Sequence, residues 1–148
     1  MTVFQLGGKS PVVIDPKCDL KTAAKRIMWG KCVNAGQTCV APDYILVQED
    51  AQDTVIQALK EAFVLERYSP RLPIADILYR HDAFYPNGAV GSPDLSHIIN
   101  KMHFNRIKGL LEKTSGTIAF GGQTDESKLF IAPTVVKGVK GDDSLMSE

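Results

Sequence analysis

One thiol in this chain stands where it could act on a substrate. Cys39 lies within Gly36-Gln37-Thr38-Cys39-Val40-Ala41-Pro42-Asp43-Tyr44. Here a glycine frees the backbone, two small polar residues precede the thiol, and a proline opens an apolar run. Such an order presents a side chain at a turn leading out of a helix and into a strand. The chemistry on offer is nucleophilic attack by sulfur on an electrophilic carbon. A small buried hydrophobe is the competing reading, because that is how most intracellular cysteines are used.

The second stretch of interest is Leu6-Gly7-Gly8-Lys9-Ser10-Pro11. A phosphate loop needs a longer glycine spacing before Lys-Ser, and a dinucleotide fingerprint needs a helix directly after the glycines. By itself it reads as a tight turn before a strand, as does Gly121-Gly122. His81, His97 and His103 lack the short paired spacing of zinc motifs, so no metal site is expected and all three read as surface or structural.

The surrounding elements follow from periodicity. Val12-Val13-Ile14 ends a buried strand before the turn dipeptide Asp15-Pro16. Asp19 caps a helix whose packed face carries Leu20, Ala23, Ala24, Ile27 and the stem of Lys31, and Ala35-Gly36 stops it near Asn34. Tyr44-Ile45-Leu46-Val47 is the next strand, apolar on both faces. Strand, helix, apolar strand is a parallel crossover, so the class is α/β with helices covering the sheet. Cys39 then enters the amino end of its strand, whereas open parallel sheets favour ligands at carboxyl ends.

A second amphipathic helix runs from about Asp50 with Val55, Leu59, Ala62 and Phe63 inward. A third, within Leu95 to Lys113, carries Phe104, Ile107, Leu110 and Leu111. Ile118-Ala119-Phe120 and Phe130-Ile131 read as strands joined by a polar connection, Gly121 to Asp125, and Pro133 places the last at an edge or a bend. Lys137 to Glu148 shows no helix or strand. Val64 to Pro93, with four prolines, follows neither period. The repeat of Ala62-Phe63 at Ala83-Phe84 fits an insertion of about twenty residues at a helix-to-loop junction.

The totals bound the function. A chain of 148 residues with 44% apolar content can build one core. Seventeen basic residues balance seventeen acidic ones without runs of either sign, so no nucleic-acid partner is indicated. Three cysteines without Cys-x-x-Cys spacing, and no secretory leader pattern, indicate a reducing compartment and a cytoplasmic location. No apolar run approaches the ~18 residues that span a bilayer.

Taken together, the two stretches resemble a known family. Leu6-Gly7-Gly8-Lys9-Ser10-Pro11 is similar to the Glu-Leu-Gly-Gly-Lys-Ser-Pro signature of the aldehyde dehydrogenase superfamily. Gly36-Gln37-Thr38-Cys39 resembles its active-site cysteine signature. Ala41 to Leu46, His103-Phe104-Asn105-Arg106-Ile107, Ile118 to Gly122 and Ile131-Ala132-Pro133-Thr134-Val135 look like the class 3, fatty-aldehyde-type branch. The resemblance covers nearly the whole chain outside Val64 to Phe84.

It implies a partial catalytic domain over residues 1–148 with an insertion at about 64–84. Most of the family's nucleotide-binding domain precedes the first signature and is expected to be absent here. Met146-Ser147-Glu148 looks like the start of the family's Glu-Glu-Ile-Phe-Gly-Pro segment, which carries a cofactor ribose contact. The strand that completes the family's homodimer would also be missing.

The implied activity is oxidation of a small-molecule aldehyde to an acid with NAD or NADP. Cys39 would be the nucleophile, its backbone N–H would help hold the oxyanion, and Leu6 and Gly7 would lie near the nicotinamide. Gln5 occupies the position of the glutamate that serves the family as general base, and an amide cannot accept the proton of the hydrolytic water. Two further readings stand beside this one: a catalytically silent interaction module with exposed strand edges, and a cofactor-free cysteine hydrolase, which would need a histidine near Cys39.

Overall fold

A computed structural model describes residues 7–65 and 95–147. Gln5, Leu6 and the expected insertion from residue 66 onward lie outside the described residues. Residues 64 and 65 continue the second helix.

Strand β1 (Ser10–Val13) pairs in parallel with β2 (Pro42–Leu46), and helix α1 (Leu20–Cys32) crosses between them as expected. Asp19 caps α1: its carboxylate accepts from the Thr22 N–H at 3.2 Å and from the Thr22 hydroxyl at 2.7 Å. The same bonds hold the Asp19 carboxyl below the usual carboxylate range. Ser10 lies opposite Pro42 and Pro11 opposite Tyr44, which leaves Asp43 as an extra residue in β2. Pro11 has no N–H to donate, so a regular ladder could not continue through it.

The packed face of α1 is rotated from the expected one. Ala24, Met28 and Cys32, four residues apart, are buried, while Leu20 and Ile27 are half-buried and Lys31 flanks the stripe. They meet Val55 and Leu59 of helix α2 (Gln52–Leu65) and Ile14 beyond β1. Val12, Ile45 and Val47 join from the sheet.

Both helices sit on this one face. On the other, Val13 is 76% exposed and Leu46, its register partner, 52% exposed. Helices cover the sheet as expected, α1 and α2 packing side by side on the one face, and among the described residues none packs on Val13 and Leu46.

Gly7 to Lys9 run into β1 without the expected tight turn. Gly121 and Gly122 stand at positive φ, 85° and 86°. A Cβ on Gly121 would stand 2.2 Å from the Pro133 carbonyl oxygen, so the position demands glycine twice over, for space and for backbone. The connection after it is not purely polar loop. Thr124–Asp125 forms β4, antiparallel to β5 (Phe130–Ile131), and β3 (Thr117–Phe120) pairs with β6 (Val135–Lys137). Phe120 of β3 stacks on Phe63 of α2, ring centres 5.7 Å apart.

Helix α3 spans Lys101–Lys113, within the expected stretch. Asn100 caps it by accepting from the His103 N–H at 2.9 Å, and Leu95 and Ile98 are buried in the segment before it. Phe104 on α3 is fully buried. Phe104→Ala is expected to remove about 3–5 kcal/mol of folding free energy, read as a lower denaturant midpoint at unchanged slope.

The last residues are also more ordered than expected. Lys137 ends β6, and Ser144–Met146 makes a 3₁₀ turn. Asp143 is the only buried charged side chain among the described residues. It accepts from the Leu145 N–H at 2.9 Å and from the Ser115 N–H and hydroxyl, both at 2.8 Å. The Leu145 bond first, then Thr114 and Ser115, hold its carboxyl far below the usual range. A carboxyl depressed by folding contributes stability above its unfolded value, about 3.9, and loses it as pH falls below that. Asp143→Asn should therefore lower the melting temperature at neutral pH and flatten its decline between about pH 4 and 2, measured by thermal scans across pH.

Candidate functional site

Cys39 occupies the second position of a turn closed by the Ala41 N–H donating to the Thr38 carbonyl at 3.1 Å. Its side chain is exposed. That excludes the buried-hydrophobe reading, which applies instead to Cys32. Among the described residues nothing accepts from the Cys39 N–H, so turn and thiol together offer one backbone donor beside one nucleophile.

Three contacts from distant parts of the sequence hold this turn. The Ser10 hydroxyl, at the start of β1, donates to the Cys39 carbonyl at 3.1 Å. Since Ser10 also pairs with Pro42, the two sequence stretches lie side by side, and Cys39 sits at the amino ends of both parallel strands.

The second contact is ionic. Asp43 receives Lys9 at 2.7 Å and lies 3.6 Å from Lys31, all three side chains being partly exposed. Lys9 also donates to the Leu145 carbonyl at 2.7 Å, which joins the first motif to the turn that Asp143 caps. Exposed pairs of this kind contribute at most about 1 kcal/mol each, so their value here is in register.

The third contact is Gln37. Its amide nitrogen donates to the carbonyls of Asn34 and His97, both at 3.0 Å, and its amide oxygen accepts from the Ile99 N–H at 2.9 Å. Before it, Asn34, Ala35 and Gly36 have φ of 51°, 54° and 75°, three successive residues in the left-handed region. Sequence reading assigned no role to Gln37, Asn34 or Ser10. Asparagine and glycine flanking Ala35 were the available signal, because both tolerate positive φ.

Gly7 is exposed, and among the described residues nothing lies within 4 Å of where a Cβ on Gly7 or Gly8 would stand. Bare backbone with open space suits the flat ring of a nicotinamide. The rest of a dinucleotide finds no holder among the described residues. Asp19 and Asn100 fill the N-termini of α1 and α3 with their own side chains, and Asp19 adds negative charge where a pyrophosphate would need free N–H groups. His97 contributes its carbonyl to Gln37 and His103 its N–H to Asn100, and neither is hydrogen-bonded to Cys39. No helix among the described residues is long and apolar enough to cross a membrane.

Comparison with known proteins gives the family. The sequence profile of the Aldehyde dehydrogenase family matches residues 1–148. The chain is 44% identical over 145 residues to beta-apo-4'-carotenal oxygenase of Neurospora crassa, covering 98% of this chain and 24% of that protein. It is likewise 44% identical over 145 residues to aldehyde dehydrogenase family 3 member A2 of Rattus norvegicus, again 98% of this chain and 26% of the relative. The solved substrate-bound state of Staphylococcus aureus AldH superimposes with a TM-score of 0.78 at 39% identity, over 96% of this chain and 27% of that one. The chain thus spans about a quarter of the length of the curated relatives it matches. Its incomplete α/β architecture is that of the aldehyde dehydrogenase fold, and the chain belongs to the aldehyde dehydrogenase family.

Proposed function

We propose that this chain carries the thiol step of an aldehyde-oxidising enzyme, with Cys39 as nucleophile. The observation that carries this reading is the exposed Cys39 turn, with its unpaired backbone N–H, seated against the first signature through Ser10. The sulfur, as thiolate, adds to the aldehyde carbon and the carbonyl oxygen takes the negative charge beside the Cys39 N–H. A bound nicotinamide cofactor, NAD or NADP, supplies the hydride acceptor. The thioester left on Cys39 is then cleaved by water, releasing the acid and restoring the thiol.

Gly7, with Leu6, would give the nicotinamide ring its backbone surface, and Gln5 would face the hydrolytic water. The remainder of the cofactor would be held outside the described residues. The substrate proposed is an aldehyde on an apolar chain. Val40, within the Cys39 turn, and Ile99, whose N–H bonds Gln37, are 77% and 74% exposed, and one relative is named for a carotenal. A cytoplasmic location accords with three free cysteines.

The test is to incubate the purified chain with a long-chain aldehyde and NAD or NADP, following cofactor reduction and the mass of the Cys39 peptide. Reduction with an acyl or hemiacetal adduct on Cys39 is expected. Neither signal would overturn this reading and favour the interaction module, for which the bare Val13 and Leu46 face is the supporting observation. Size-exclusion chromatography with light scattering then reads whether the chain pairs with itself.

A further inference from the structure

The Ser10 hydroxyl holds the nucleophile's turn at the Cys39 carbonyl; on the other side of the turn stands an amide two residues earlier. We propose that Gln37 is the positioning residue of Cys39, a carboxamide clamp that locks the strained backbone before the thiol and ties it to the segment leading into α3. This deepens the reading of Cys39 as nucleophile and rests on it.

The backbone from Asn34 to Gly36 stands in the left-handed region, at φ of 51°, 54° and 75°. Glycine adopts it freely and asparagine at little cost, but Ala35 does not: a non-glycine, non-asparagine residue is held there only where its surroundings over-determine it. Gln37 supplies that over-determination. Its backbone N–H donates to the Asn34 carbonyl at 3.0 Å, and its side-chain amide nitrogen donates to the same carbonyl at 3.0 Å. In return, the Asn34 side chain donates to the Gln37 carbonyl at 3.3 Å.

The outer half of the clamp is long-range. Gln37 bonds His97 and Ile99, sixty and sixty-two residues away, through one donor and one acceptor of a single planar amide. Its geometry imitates the paired N–H and C=O of a neighbouring strand, so the Cys39 loop and residues 97–99 are joined as if by one rung of a sheet. No other residue type of this length offers a donor and an acceptor together on one plane. Glutamate keeps the acceptor but turns a charge on two carbonyls, and methionine keeps the shape and loses both bonds.

Through this rung Cys39 is fixed from both sides of its turn, by Ser10 on its carbonyl and by Gln37 two residues before it. Released, the turn loses its tie to residues 97–99 and the thiol its fixed placement.

The chain contains its own controls: Cys18 is exposed and remote in sequence from the clamp, and Cys32 is buried. Gln37→Met and Gln37→Glu chains should be compared with the parent by reaction with a pyridyl disulfide, followed by peptide mass analysis of each cysteine. The expected result is a fall of roughly tenfold in the Cys39 rate relative to Cys18, of the kind that a small misplacement produces, with Cys32 still protected. Amide exchange at Ile99 should rise in the same variants. With aldehyde, the maximal rate of Cys39 adduct formation should fall while the half-saturating concentration stays the same.

An unchanged Cys39-to-Cys18 ratio in a variant whose Cys32 remains protected overturns the proposal. So does a ratio that changes only where Cys32 also becomes reactive in both variants, because the role is then structural alone. Should the parent form no aldehyde adduct, the proposed function fails, while the disulfide ratio still decides whether Gln37 positions the thiol.

Discussion

Cys39→Ala is expected to abolish aldehyde-dependent reduction of NAD or NADP, a loss on the order of 10⁶-fold, the scale reached when a covalent nucleophile is deleted. On the proposed mechanism the intermediate itself is a bond to sulfur. Without it neither the oxyanion beside the Cys39 N–H nor the thioester can form. Cys39→Ser keeps the turn, since Ser10 contacts only the Cys39 carbonyl, and tests whether oxygen can substitute for the more nucleophilic sulfur. Cys18→Ser should leave activity unchanged, because Cys18 lies in a separate turn closed onto Asp15. Steady-state assays with intact-mass measurement check all three. A Cys39→Ala chain with parental activity would remove Cys39 from the mechanism.

Gln5→Glu is expected to raise steady-state turnover by about 10²–10⁴-fold, the usual contribution of a general base. An amide can orient water but cannot take its proton, so in the parent chain hydrolysis of the thioester should limit the cycle. The parent should then show a burst of cofactor reduction, stoichiometric with Cys39, followed by a slow phase. In the glutamate variant the slow phase accelerates and the burst merges into it, while the burst rate, which reports acylation, stays the same. Rapid-mixing absorbance separates the two phases. Unaltered turnover in Gln5→Glu would mean that position 5 does not face the thioester.

Local features of this fold were legible in the residues themselves. Asp19 caps α1 because a short carboxylate before an apolar-periodic run has few better uses. Gly36 ends the helix region at positive φ, and the parallel crossover follows from an apolar strand on either side. The two signatures could be expected to meet, and Ser10 opposite Pro42 shows that they do.

What escaped the sequence is non-local. The buried stripe of α1 passes through Met28 and Cys32 because α2 lies there, and no periodicity within α1 chooses between adjacent apolar stripes. Strands of two residues such as β4 have no period to detect. Gln37 and Asp143 acquire their roles from partners up to sixty-two residues away, and such partners leave no local trace.

The exposed pleat residues Val13 and Leu46 have a colloidal consequence. With equal numbers of acidic and basic residues, copies of this chain have no net charge at neutral pH to keep them apart. An apolar pleat in an uncharged particle makes near-neutral buffer the poorest solvent for it. Solubility should improve on moving pH away from neutrality, and kosmotropic salts such as sulfate should precipitate it early.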